Sequence, residues 1–151
     1  MKQQPASIRI TEVEFRQRGE RLLEYLHHNQ LSGVVLFDPY YVLYYTGFAF
    51  IPTERPIAFV MNARGEKALF VPRLELEHAG SNALVNRVDH YIEYPYQPHP
   101  TQALLTTLAD MGLHGNYAAD QDGYPWILGY RGPSLTELMG AAPHRITAFI
   151  E

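Results

Sequence analysis

The chain of 151 residues contains no cysteine, which excludes a disulfide framework, a thiolate nucleophile and a cysteine-ligated zinc site. Long apolar runs are absent too, and nothing approaches the ~18 consecutive apolar residues of a membrane span. The opening Met1-Lys2-Gln3-Gln4-Pro5 has no apolar core of a secretory leader. Basic charge is scarce: Lys and Arg total 12 against 16 Asp and Glu, for a net charge of -4. A phosphate-backbone partner needs clustered Lys and Arg, and no such cluster exists. These absences set the expectation of a cytoplasmic chain with neither membrane nor nucleic acid as partner.

Catalytic patterns are missing as well. No His-Glu-x-x-His pair occurs, and the adjacent His27 and His28 point about a third of a turn apart on a helix, so they do not face one metal. The other histidines are scattered singly. Gly132-Pro133-Ser134-Leu135-Thr136 lacks the second glycine of a nucleophile elbow, which leaves Ser134 as a helix cap. Glu75 and Glu77 have no third acid beside them, and Asp110, Asp120 and Asp122 adjoin small turns and read as solvated. No catalytic residue and no metal ligand is therefore assigned to this chain.

What is present is the material of one ordinary domain: 46% hydrophobic residues, 13% aromatic and 19% charged. Thr11 followed by Glu14 predicts a capping box, and Phe15, Leu22, Leu23 and Leu26 then recur on one face of a helix that frays near Asn29. Gly19 leaves room on that helix for a close neighbour. Gly33 to Phe37 is apolar on both alternating faces and reads as a central strand covered on both sides. Ile57 to Met61 and Lys67 to Val71, joined by a five-residue turn, predict an antiparallel hairpin. A short helix over Arg73 to His78, a strand from Arg87 to Tyr91, a helix from Thr101 to Met111 closed by Gly112, and a strand near Asn116 to Ala119 follow. A helix from Ser134 to Met139 and a last strand from His144 to Ile150 complete the order. The pattern predicts an α/β fold, a three-layer sandwich with a mixed β-sheet flanked by helices.

Two features stand out from this scaffold. Asp38 lies at the exit of the central strand, where α/β sheets gather ligands, although Asp-Pro is also an ordinary way to begin a turn. Tyr40, Tyr41, Tyr44, Tyr45, Phe48 and Phe50 form a dense aromatic set, read as one strand and the loop after it, with alternation sending part of it outward. Outward rings suit an interface; the alternative is that all of them belong to the core.

The opening helix, the Gly33 to Phe37 strand, Tyr44-Tyr45-Thr46-Gly47-Phe48, Glu54-Arg55-Pro56 before the hairpin, and Val71-Pro72 before a helix recur in an order that resembles the amino-terminal domain of the creatinase, prolidase and aminopeptidase P family. The resemblance covers nearly the whole chain and weakens to pattern after residue 120. It implies a sheet with a ribonuclease H-like motif and a single domain over residues 1–151, the carboxy-terminal pita-bread catalytic domain being absent by natural truncation or excision. That absent domain would hold two divalent metal ions, Mn, Co or Zn, and none would bind here. The implied partners are the chain's own catalytic domain and a second copy in a homodimer, with peptide substrate reached only in the full-length parent.

The resemblance further implies substrate-rim positions at Asp38, Tyr40 and Arg55, while the aromatic pattern itself offers Tyr41, Tyr44, Tyr45, Phe48 and Phe50 as interface positions. Arg55 resembles a substrate-contacting arginine of creatinase, and a guanidinium grips a carboxylate through two parallel bonds; an exposed salt-bridging role is the other reading. Thr53 stands where creatinase carries an aromatic, so a Xaa-Pro dipeptidase or aminopeptidase is expected before a creatinase-type amidinohydrolase. A free-standing interaction module pairing through its tyrosines is a third reading. A ribonuclease H-like nuclease would need further acids and a basic groove that the sequence does not supply.

Overall fold

An apolar run flanked by turn residues becomes the centre of a sheet only if both of its faces are covered, and the rest of the chain supplies the cover. The computed structural model describes residues 9–92, 99–124 and 132–146. In chain order the elements are α1 (Glu12–His28), β1 (Gly33–Leu36), α2 (Pro39–Thr46), β2 (Ala58–Asn62), β3 (Lys67–Pro72), a 3-10 turn (Arg73–Glu75), α3 (Leu76–Asn82), β4 (Arg87–Tyr91), α4 (Pro100–Asp110), β5 (Ala118–Ala119), α5 (Leu135–Met139) and β6 (His144–Arg145).

The described strands form one sheet in the order β4-β3-β2-β1-β5-β6. β2 runs antiparallel to β1 and β3, whereas β3 with β4, β1 with β5, and β5 with β6 are parallel. Alternation divides the core into two layers. Val34 and Leu36 of β1, with Phe59, Met61, Leu69 and Val71, pack under Leu22 and Leu26 of α1, Val42 of α2 and Ala79 of α3. Val35 and Phe37, with Val60 and Phe70, face Leu104 and Leu108 of α4 and Leu135 of α5. Each large side chain buried in this way contributes about 1.5–3 kcal/mol relative to leaving it in water. The three-layer sandwich with a mixed sheet is as the pattern predicts.

Several local readings are refined. Thr11 caps α1, its hydroxyl accepting from the Glu14 N–H at 3.2 Å. The Glu14 carboxylate does not return to close the box; it accepts from Arg18 at 3.0 Å instead. Arg18, only 8% exposed, also donates to the Tyr44 carbonyl at 2.9 Å, with its guanidinium 4.1 Å from the centre of the Tyr44 ring. An orphan carbonyl in the last turn of α2 thus receives a cation, which suits the negative end of a helix. The aromatic run is a helix, α2, and not a strand. Asp38 caps it, Pro39 presets its first turn, and Gly47 ends it in the left-handed conformation at φ 75°.

The helix after Pro72 runs past the expected His78 to Asn82. The hairpin turn is built on Asn62, whose Oδ1 accepts from the N–H groups of both Arg64 and Glu66. β4 and α5 fall where the sequence places them, and Ser134 and Glu137 form a complete capping box on α5. Of the expected last strand, residues 147–150 lie outside the described residues, as do 93–98 and 125–131.

Two glycines separate backbone crowding from side-chain crowding. A Cβ on Gly33 would sit 2.6 Å from the Met61 carbonyl oxygen, an atom fixed in the sheet. A Cβ on Gly19 would meet only the tip of Lys67, at 2.5 Å from Nζ, and that tip can swing away. Gly33→Ala is therefore expected to cost about 1–3 kcal/mol. Gly19→Ala should be near neutral, because alanine gains up to ~1 kcal/mol in a helix. Urea unfolding of both variants checks this, and equal losses would contradict it.

Candidate functional site

With only β2 reversed, the carboxyl ends of the other five described strands and the amino end of β2 share one edge of the sheet. The expected rim residues Asp38, Tyr40 and Arg55 all fall at this edge. So does Asp120, which sequence reasoning placed in solvent. β5 lies parallel to β1 and ends beside it, so the Asp120 carboxylate meets the two amides that follow β1. It accepts from the Phe37 N–H at 3.0 Å (Oδ1) and 3.1 Å (Oδ2), and from the Asp38 N–H at 2.7 Å. Its residue is 7% exposed. Burial pushes its pKa up, the amides of Phe37 and Asp38 pull it back, and the nearby Asp38 charge pushes it up further.

Asp122, also expected in solvent, accepts from the Thr136 N–H at 2.8 Å and from its hydroxyl at 2.7 Å, which ties the segment after β5 to α5. Asp110 lies 3.5 Å from Arg87 with its side chain more than half exposed, as the sequence suggests. The partners of Asp120 are more than eighty residues away in the chain, which hid them. The available signal is a repeated pattern: Leu36-Phe37-Asp38 and Ala118-Ala119-Asp120 each end an apolar stretch in an aspartate.

The approach to β2 is stapled from two sides. The Tyr124 hydroxyl donates to the Thr53 carbonyl at 2.5 Å, and the Tyr91 hydroxyl donates to the Pro56 carbonyl at 2.9 Å. Burial, with the Glu54 charge adding to it, pushes the Tyr124 phenol up to about 12, so it keeps its proton and its role as donor. Thr53 Oγ1 in turn accepts from the Arg55 N–H at 3.2 Å. Arg55 is thereby held at the mouth of a cavity of about 350 Å³, with Phe50, Ile51, Leu74, Glu75 and His78 among its lining residues. Its Nε lies 3.9 Å from Glu54 Oε1, too far for a hydrogen bond, and that nitrogen is buried without a hydrogen-bond partner. Ile51 and Leu74, at 86% and 67% exposed, present apolar surface beside it.

The expected rim residues are not one cluster. Asp38 uses Oδ1 to cap α2 through the Tyr40 N–H at 2.8 Å, and Tyr40 points outward at 74% exposure. No hydrogen bond or ion pair joins either to Arg55 among the described residues. The expected interface residues divide as well. Tyr45 and Phe48 are core residues, Tyr45 stacked on Phe59 with centroids 5.7 Å apart, so neither is presented outward. A helical period in place of alternation is the cause, because it turns Val42 and Tyr45 inward together. Tyr41, Tyr44 and Phe50 are half-buried against that core. Burial, then Asp120 and Asp38, push the Tyr41 phenol up. Among the described residues no group of three or more His, Asp or Glu is placed to hold a metal.

Because the folded Asp120 carboxyl titrates above its unfolded value, its contribution to stability is greatest below about pH 4 and is lost as the pH rises through the folded pKa. The stability of the native chain relative to Asp120→Asn should therefore fall as the pH is raised from about 4 toward neutral in paired urea titrations. A relative stability that rises over that interval would contradict the sign.

Comparison with known proteins agrees with this fold. The family model described as the Creatinase/Prolidase N-terminal domain matches residues 18–128. An uncharacterized peptidase of Staphylococcus haemolyticus is 28% identical over 83 residues, covering 54% of this chain and 24% of its own length. Among solved structures, a proline dipeptidase from Streptococcus pneumoniae is similar with a TM-score of 0.66 at 28% identity, over 84% of this chain and 88% of that one. A proline dipeptidase from Streptococcus agalactiae is similar with a TM-score of 0.69 at 25% identity, over 89% and 96%. The chain spans about a quarter of the length of the curated relative it matches. With a matched segment running from α1 to beyond β5 and a fold shared with these dipeptidases, the chain belongs to the creatinase/prolidase N-terminal domain family.

Proposed function

We propose that this chain is the non-catalytic amino-terminal domain of a metal-dependent Xaa-Pro peptidase, and that its Arg55 edge forms part of the rim of the active site in a partner subunit. The observation that carries the reading is the likeness to a proline dipeptidase at 28% identity over 84% of the chain. The arrangement at the edge supports it. An arginine whose side chain is 38% exposed, and whose only ion pair among the described residues is a loose one to Glu54 at 3.9 Å, sits beside a cavity with apolar walls, which suits a ligand that carries both a carboxylate and an apolar body. Its loop is fixed by Tyr91, Tyr124 and Thr53, so the guanidinium is positioned before anything binds. The apolar Ile51 and Leu74 beside it suit coverage by a catalytic domain or a second copy of the chain.

The reading places the chemistry in the catalytic domain of the assembly. The chain alone, supplied with manganese, should leave Xaa-Pro dipeptides intact, and turnover abolished by a chelator would overturn the reading. In the enzyme assembled with its catalytic domain, Arg55→Ala should raise KM roughly tenfold to a hundredfold with kcat nearly held, since a charged hydrogen bond to substrate is worth about 1.5–3 kcal/mol. An unchanged KM would leave Arg55 as a surface residue.

A further inference from the structure

Lys67 is the only lysine among the described residues, and its side chain is placed unusually. It opens β3, where its backbone is held on both sides by Asn86: its N–H donates to Asn86 Oδ1 at 2.8 Å, and its carbonyl accepts from the Asn86 N–H at 2.9 Å. From this fixed base the side chain crosses to α1 and ends at Gly19, where the missing Cβ leaves a notch that Nζ and Cε occupy, 2.5 Å and 2.8 Å from where that carbon would be. The ammonium is half-buried there, and among the described residues no carboxylate lies within ion-pair distance of it. The charged groups around it are directed elsewhere. Glu66 is taken by Arg64 at 3.0 Å, and Arg87 by Asp89 at 2.7 Å and Asp110 at 3.5 Å. Glu20 on α1 is close enough to favour the charged form without pairing with it.

We propose that Lys67 is a modification site, an ε-amine seated in the Gly19 notch without an ion pair that takes acyl groups from small acyl phosphates. In the step, the lone pair of Nζ attacks the carbonyl carbon, a C–N bond forms, the C–O bond to phosphate breaks, and inorganic phosphate leaves with the bonding pair. The proton lost from nitrogen passes to water. Desolvation favours this course, since it lowers the pKa of Lys67 and raises the fraction of free amine at neutral pH. A lysine desolvated by its surroundings is a recognised form of activated nucleophile. Lys67 is partly exposed, so its side chain remains open to water on one side, and the amide that results carries no charge to be kept out of water.

The test uses acetyl phosphate on the intact chain at pH 7.5, with peptide mass mapping of Lys67 over time. Folded chain should acetylate Lys67 several-fold faster than the same chain in denaturant, where the notch does not exist. The Gly19→Ala protein, with the tip displaced toward water, should lose that excess. Folded and denatured rates that are equal, a slower folded rate, or an excess retained in full by Gly19→Ala would each overturn the proposal.

Discussion

A single carboxylate holds the ends of the two central parallel strands in register. Asp120 receives the amides of Phe37 and Asp38, the two residues that follow β1, through three contacts of 2.7–3.1 Å. An unsatisfied buried donor such as the Phe37 N–H costs about 1–3 kcal/mol, which is a sizeable share of the ~5–15 kcal/mol by which domains are stable. The same clamp sets the point at which β1 stops, and hence the position of Asp38 as cap and of α2 behind it. Arg18 fixes the other end of α2 through the Tyr44 carbonyl. Between these two polar anchors the aromatic helix has little freedom to slide.

The edge that Asp120 organises is also where the chain gathers its special groups. Reversal of β2 alone brings the exits of β1, β3, β4 and β5 to the same side as the approach to β2, so loops distant in sequence become neighbours. Tyr91 from β4 and Tyr124 from beyond β5 both reach carbonyls in residues 53–56. Their hydroxyls convert a loop into a rigid mount for Arg55. Open α/β sheets bind ligands beyond their strand ends for the same topological reason.

Much of this was legible in the sequence, because it is local. The Thr11 and Ser134 caps, the buried run of β1, the Asn62 turn and the limits of β4 depend on residues a few positions apart. What escaped was long-range or ambiguous in period. Tyr40 through Tyr45 is apolar or aromatic at every position, so neither a two-residue nor a 3.6-residue period shows, and β-favouring side chains pointed to a strand. The caps at Asp38 and Gly47 decided for a helix. Asp120 was hidden because its donors lie more than eighty residues away. Arg18 was hidden because a buried arginine on an amphipathic helix has no local signature.

The most direct test is amide hydrogen exchange on this chain, alone and in complex with the catalytic domain that the proposed function requires. The account predicts slowed exchange over residues 47–56 and 73–76, which surround Arg55, with the Asn62–Glu66 turn at the opposite edge unchanged. Protection at that turn with residues 47–56 exchanging as before would contradict it, and the Arg55 edge would no longer be the face through which this domain works.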